Sequence, residues 1–270
     1  MNVSKALSSL TANIICRTLM GKRCSMDVSD KLASVNGIPE LIGGLAEVAG
    51  VFDFGDFIPC VKWLDLQGIR GRMKKLNREF DKFAEEIIDE RVEMRKLKES
   101  TNGQRANDFV DVLLDISGSD NIISRNDMKA LLLDMMNAGT DTSAVTLEWA
   151  MSELLRNHAV MKKVQEELQS IVGKDAQVKP CDLPSLEYMH CVVKETLRLH
   201  STVPLLIPHE SMGACTVAGY HIPAKTRLIV NAWAIGTDPA VWGDDALAFK
   251  PERFMPGGRH SHIDVRGQDF

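Results

Sequence analysis

The sequence predicts a mainly α fold with one small sheet near its C-terminal end, and three observations carry that prediction. A helical pattern runs unbroken from Ser124 to about His158, a second and strongly amphipathic one runs from Leu66 to about Lys98, and strand-like alternation appears only beyond residue 200. A chain of 270 residues, 44% hydrophobic and 26% charged, has an ordinary globular composition with material for one large core or two small ones.

Taken in order, the elements follow from periodicity and punctuation. Met1 to Gly21 reads as a helix in which Val3, Leu7, Leu10, Ile14 and Leu19 repeat helically and Gly21 closes the last turn. A second helix is expected over Pro39 to Ala49, followed by an aromatic, turn-rich connection from Asp53 to Pro59 that reads as a surface loop. The Leu66 to Lys98 helix places Ile69, Met73, Leu76, Phe80, Phe83 and Ile87 on one face and mixed charge on the other. Glu90 takes the next seam position, so the pattern describes a helix on the outside of a core rather than a coiled coil. The polar run from Lys98 to Asp108 reads as a loop, Asp108 to Ile116 as a short helix, and Gly118 to Asn121 as a turn.

Ser124 and Asp127 form a capping box for the longest helix, in which Met128, Leu132, Met135, Leu147, Met151 and Leu154 recur at three- and four-residue steps. Beyond it, Ala159 to Val172 is a helix with Val160, Val164, Leu168 and Ile171 on one side and Gly173 as C-cap. Another helix begins after Pro184, carries Leu186, Met189, Val192, Val193, Thr196 and Leu197, and ends near His200. Short strands are expected at Cys215 to Val217 and Arg227 to Asn231, with a turn at Gly219-Tyr220.

Charge and composition exclude several classes of function. A net charge of -5 and the lack of any Lys/Arg run give no field to attract nucleic acid. The longest apolar run, Leu41 to Phe52, is interrupted by Glu47 and cannot span a bilayer, and the segment after Lys5 is too polar for a signal peptide. The six cysteines (Cys16, Cys24, Cys60, Cys181, Cys191, Cys215) show no CxxC pair or zinc spacing, which fits reduced thiols used in packing.

The middle of the longest helix breaks its own pattern. Ala138, Gly139, Thr140, Asp141, Thr142 and Ser143 place a glycine, a carboxylate and hydroxyls where branched aliphatics are expected, and glycine there costs about 1 kcal/mol against alanine. Ala138, Gly139, Thr142, Ser143 and Thr146 form a stripe of small residues, read either as room for a flat, bulky object or as a close helix crossing with back-bonded hydroxyls. Glu195 and Arg198 stand at i and i+3 on a helix with little other charge, and Arg253, in a segment opened by Pro251, could share Glu195 in a buried three-member network.

AGTDTS at 138–143, KETLRLH at 194–200 and FKPERF at 249–254 resemble, in that order and spacing, the cytochrome P450 family of haem-thiolate monooxygenases. GDFIP, WLDLQG and YMHCVVKETLRLH are most similar to plant microsomal members acting on small secondary metabolites. The resemblance covers essentially the whole chain and implies a partial P450 domain over residues 1–270. The N-terminal membrane anchor, the early helices and the Cys-ligand loop are expected to lie outside it, so no metal ligand is expected within the chain.

On this resemblance the full-length protein binds haem, takes electrons from an NADPH-cytochrome reductase and hydroxylates a small lipophilic substrate at the cytosolic face of the endoplasmic reticulum. Membrane attachment would come only through the anchor, and the chain alone is expected to be inactive. The alternative is a non-catalytic helical binding or regulatory module, or a pseudogene product. Ala138 and Gly139 would lie against the haem face, leaving room for dioxygen, while Asp141 and Thr142 would manage the two protons that dioxygen cleavage consumes. Glu195, Arg198 and Arg253 would be a structural triad. Val203, in the run Thr202 to Leu206, would border haem and substrate, and His209 would meet a haem propionate.

Overall fold

Ten α-helices and three short strand pairs make up the regular structure of the computed structural model, which describes residues 2–25, 35–36, 38–101, 108–120 and 123–263. The chain divides into two units, Met1–Ala144 and Val145–Phe270, and the division falls within the helix Arg125–Arg156, which at 32 residues is not the longest as expected but one residue shorter than the helix Ile69–Thr101.

The first unit holds α1 (Val3–Met20), β1 (Cys24–Ser25) paired in parallel with β2 (Val35–Asn36), α2 (Ile38–Ala49), α3 (Phe54–Phe57), α4 (Ile69–Thr101), α5 (Phe109–Asp120) and the start of α6 (Arg125–Arg156). Asn2 caps α1, and Gly21 ends it in the left-handed conformation. Its apolar repeat faces inward only in part: Leu19 is fully buried, but Val3, Leu10 and Ile14 are exposed, and the other buried positions are Thr11, Ala12, Cys16 and Met20. On α4 the predicted face is correct, since Phe80 and Ile87 are buried and Met73, Leu76 and Phe83 pack against the same core, joined by Leu41 and Ile42 of α2 and Leu132 and Met136 of α6.

Three expectations need correction in this unit. The 53–59 connection is not a plain loop: Asp53 caps the single turn of α3, and a 3-10 segment follows over Pro59–Leu64. The helix expected to end at Lys98 continues to Thr101, and the remainder of the predicted polar loop, 102–107, lies outside the described residues. Finally α5 runs through Gly118 to Asp120 in place of the predicted turn, because Asp108 caps its start through Asp111 N and the helix continues past a glycine that costs only about 1 kcal/mol.

The second unit holds the end of α6, α7 (His158–Ile171), α8 (Glu187–Leu199), the antiparallel pairs β3 (His209–Glu210) with β6 (Arg227–Leu228) and β4 (Cys215–Val217) with β5 (Tyr220–Ile222), then α9 (Ala232–Thr237) and α10 (Pro239–Trp242). The capping box at the head of α6 forms as predicted in the first unit, Ser124 N donating to Asp127 Oδ2 and Asp127 N to Ser124 Oγ. The hairpin turn sits one residue earlier than expected, at Ala218-Gly219, both with positive φ. The strand expected over Arg227 to Asn231 stops at Leu228, and Asn231 instead caps α9. Two small cores result, one joining Leu154, Val160, Val164, Tyr188 and Val192, the other Cys191, Trp242, Ala246, Phe254 and Ile263.

Candidate functional site

In the first unit the polar interruption of α6 presents two unlike sides. Thr140 is buried and donates to Met136 O at 2.8 Å, while Thr142 is half-buried and donates to Ala138 O at 2.6 Å. Both hydroxyls are back-bonded to carbonyls one turn earlier in the same helix. Ala138 and Asp141 are exposed on the same stretch. Gly139 stands at a close helix crossing, one of the two readings of its stripe: a Cβ built there would lie 2.5 Å from Ile15 Cδ1 of α1. Ala138 and Thr142, at i and i+4, share one side of this helix.

In the second unit Glu195, Arg198 and Arg253 come together. Arg198 is fully buried and spends all five of its N–H groups: Nε and Nη2 bind the two Glu195 oxygens at 2.7 and 2.8 Å, Nη1 reaches Gly236 O and Ala246 O at 2.6 and 2.7 Å, and Nη2 reaches Ala248 O at 3.3 Å. Its guanidinium also lies 4.9 Å from the Trp242 ring centre. Glu195, itself fully buried, accepts the Lys250 amide at 2.8 Å and has Arg253 Nε 3.4 Å away. Arg253 donates through Nη1 to Trp242 O at 3.0 Å, and its Nη2 lies 2.7 Å from Asp245 Oδ1.

Asp245 is the member that sequence reasoning missed, and it balances the network at two carboxylates against two guanidiniums. Lys250 and Arg253 hold its carboxyl below the usual range, at about 2. Gly236 is required where α9 meets α8, because a Cβ there would stand 2.5 Å from Arg198 O.

A second missed residue orients the helix that carries the pair. Leu186 stands at the N-cap of α8 and has no side chain to accept from the first turn. Glu167 of α7 supplies that acceptor, taking the Tyr188 and Met189 amides at 2.7 and 2.9 Å with its two oxygens. Tyr188 Oη in turn donates to Glu252 Oε1 at 2.8 Å, tying α8 to the 3-10 turn Pro251–Phe254 that carries Arg253. These partners are remote in sequence, so no local spacing marks them.

Val203 is exposed, as are Leu205, Leu206 and Ile207, which gives the segment after α8 a bare apolar surface. His209 is exposed on β3 opposite Leu228. Two histidines assigned no role by sequence are partly enclosed: His200 stacks on Trp149, and His260 is buried against Trp242 with no hydrogen-bond partner for Nε2 among the described residues. Burial, reinforced by Arg259 and Arg253, lowers the pKa of His260. Among the described residues no His, Cys, Asp and Glu cluster could hold a metal, and no helix is long and apolar enough to cross a membrane.

The family model for cytochrome P450 matches residues 1–264. "Cytochrome P450 750A1" of Pinus taeda is 48% identical over 260 residues, covering 94% of this chain and 49% of that protein. "Flavonoid 3'-monooxygenase" of Arabidopsis thaliana is 40% identical over 277 residues, covering 100% of this chain and 52% of that one. A zebrafish cytochrome P450 solved with abiraterone superposes with a TM-score of 0.72 at 25% identity, over 94% of this chain and 54% of its own. The chain spans about half the length of the curated relatives it matches. A helix interrupted by AGTDTS, a buried Glu-Arg-Arg network and these matches together place the chain in the cytochrome P450 family.

Proposed function

We propose that residues 1–270 belong to a single haem-binding domain of a monooxygenase that hydroxylates a small lipophilic plant metabolite of the flavonoid-like phenolic class. One oxygen atom of dioxygen enters a C–H bond and the other leaves as water, with two electrons coming from NADPH through a reductase and two protons from solvent. Each unit by itself carries residues suited to the cofactor: in the first, an alanine and a half-buried threonine give α6 a low surface beside its backbone, and in the second, Val203 to Ile207 are a bare apolar segment. Haem, when bound, supplies the site at which dioxygen is reduced and activated.

The chain's own residues would handle protons, position and support. The observation that carries the reading is Thr142, whose only hydroxyl proton is committed to Ala138 O at 2.6 Å. Its oxygen can therefore act towards a water only as an acceptor, fixing that water with one hydrogen on Thr142 and the other aimed into the site. Asp141, exposed on the next position, would exchange protons with solvent. The Glu195-Arg198-Arg253 network would hold the backbone behind the site without taking part in chemistry, and His209 would donate to a propionate. The endoplasmic reticulum surface is the proposed location, with attachment through a segment outside this chain.

The test joins the chain to the flanking segments that its relatives carry and compares Thr142→Ala with Thr140→Ala. We expect Thr142→Ala to keep haem and substrate binding while most of the NADPH consumed appears as hydrogen peroxide, a loss of about tenfold or more in product per NADPH. Thr140→Ala should stay within about twofold of the parent, its hydroxyl being buried on the other side of the helix. Uncoupling by Thr140→Ala alone would reverse the assignment of the α6 face.

A further inference from the structure

Glu153 is a buried carboxylate that the reaction proposed above does not use. Only 6% exposed near the end of α6, it must find partners, since an ionised carboxyl out of water is costly unless it is hydrogen-bonded. Asn157 Nδ2 donates to Oε2 at 3.0 Å, Arg156 Nη1 lies 3.7 Å from Oε1, and His200 Nε2 lies 2.9 Å from Oε1. An ionised carboxylate only accepts, so His200 carries a proton on Nε2. One turn earlier on α6, the Trp149 ring lies parallel to the His200 imidazole, with centres 3.9 Å apart and planes 5° apart. The imidazole is thus fixed twice, in direction by Glu153 and in plane by Trp149.

His200 is the residue at which α8 ends. Its amide makes the last bond of that helix, to Thr196 O at 2.8 Å, and its backbone then leaves the helical conformation. The apolar segment from Thr202 to Leu206 follows directly. That segment has little else to hold it: Leu206 N donates to Val203 O at 3.0 Å, and Pro204 O accepts from Trp233 N at 3.2 Å. Val203 is three residues beyond His200, so at full extension it stands about 10 Å away, and a 10° turn at the helix end would displace it by roughly 1.7 Å. A shift of that size at a substrate-bordering side chain is enough to break its van der Waals contact with the substrate and so weaken binding.

We propose that Trp149, Glu153 and His200 form a clamp that aims the segment Thr202 to Leu206, making the three of them positioning residues for the lipophilic substrate. The substrate part of this proposal rests on the monooxygenase reading, whereas the clamp and its effect on the segment do not.

Amide hydrogen exchange on the 270-residue chain tests the clamp directly, using His200→Ala and the milder Trp149→Leu at a side chain that is 41% exposed. Exchange at the Leu206 and Trp233 amides should rise about tenfold in both variants while the α8 amides from Cys191 to Leu199 stay as slow as in the parent, and Trp149→Phe should restore most of the protection. Unchanged exchange at Leu206 and Trp233 overturns the clamp. An equal rise along α8 also overturns it, showing that His200 merely supports the helix.

In the chain joined to its relatives' flanking segments and loaded with haem, Trp149→Leu should raise KM about tenfold and weaken the substrate-induced spin-state change, with haem content and kcat within about twofold. An unchanged KM beside local loosening refutes the substrate role. If the parent binds no haem while the exchange result holds, the monooxygenase reading fails and the clamp stands.

Discussion

The two units each contain a buried network of arginines and carboxylates; each leaves one buried side-chain atom without a hydrogen-bond partner among the described residues, Asp111 Oδ2 in the first and Arg253 Nε in the second, and they differ in how deeply the central ion pair is enclosed. In the first, Asp108 caps α5, is paired with Arg91 and sits against the left-handed Gly21, while Arg91 also donates to Met20 O at 2.9 Å. Arg95 binds Asp111 and Asp115 at 2.8 Å each, and Asp115 is largely exposed. Among the described residues Asp111 Oδ2 has no hydrogen-bond partner, the nearest cation being Arg91 Nε at 3.8 Å, and burial raises the pKa of Asp108 despite Arg91. In the second, Arg198 has no hydrogen left to give and Glu195 takes three donors on two oxygens. Both networks reach solvent at an edge carboxylate, Asp115 in the first and Asp245 in the second, but the Glu195-Arg198 centre of the second is sealed, and a sealed centre that loses a member cannot rehydrate.

That contrast can be broken most severely at Glu195. Glu195→Ala strands Arg198 away from water, and we expect a loss of about 3 to 5 kcal/mol, seen as a lower urea midpoint or as insoluble protein. A variant that unfolds at the parent's midpoint would show the sealed centre to be dispensable. The same measurement on Arg91→Ala should give about 1 to 3 kcal/mol, because Asp108 keeps its capping bond to Asp111 N and water can enter from the Asp115 side. Losing more from Arg91 than from Glu195 would invert the comparison.

Smaller effects sharpen it. Glu167→Ala removes the side-chain acceptor of the α8 amides of Tyr188 and Met189 and should cost about 1 kcal/mol, with Glu167→Gln recovering part of it. His260→Phe should matter least at neutral pH and most in acid. The folded state lowers the pKa of His260 from 6.5, so the unfolded chain binds the extra proton first and stability falls as pH drops below about 6.5. Replacing the histidine should flatten that part of the stability profile, and a slope unchanged by the substitution would assign acid sensitivity elsewhere.

What could be read from sequence was local. The Ser124 and Asp127 box, the buried face of α4 and the Glu195-Arg198 spacing all lie within one or two turns, where geometry follows from residue separation. Arg253 was found because a second cation near a buried glutamate answers an electrostatic need. Asp245 and Glu167 were not, since one is reached through a turn and the other from a neighbouring helix. The partly exposed repeat on α1 and the Gly139 contact with Ile15 show the same limit: periodicity identifies an apolar stripe, and a partner decides which stripe is buried.

The bonds of Arg198 also carry information about time. Its carbonyl partners Gly236, Ala246 and Ala248 are 38, 48 and 50 residues further along the chain, so each bond closes a long loop whose entropy must be lost beforehand. Such bonds cannot start the folding of α8; they can form only when α9, α10 and the following turns have arrived. The hub is therefore a latch rather than a nucleus, and its removal should appear chiefly as faster unfolding, with the refolding rate little changed.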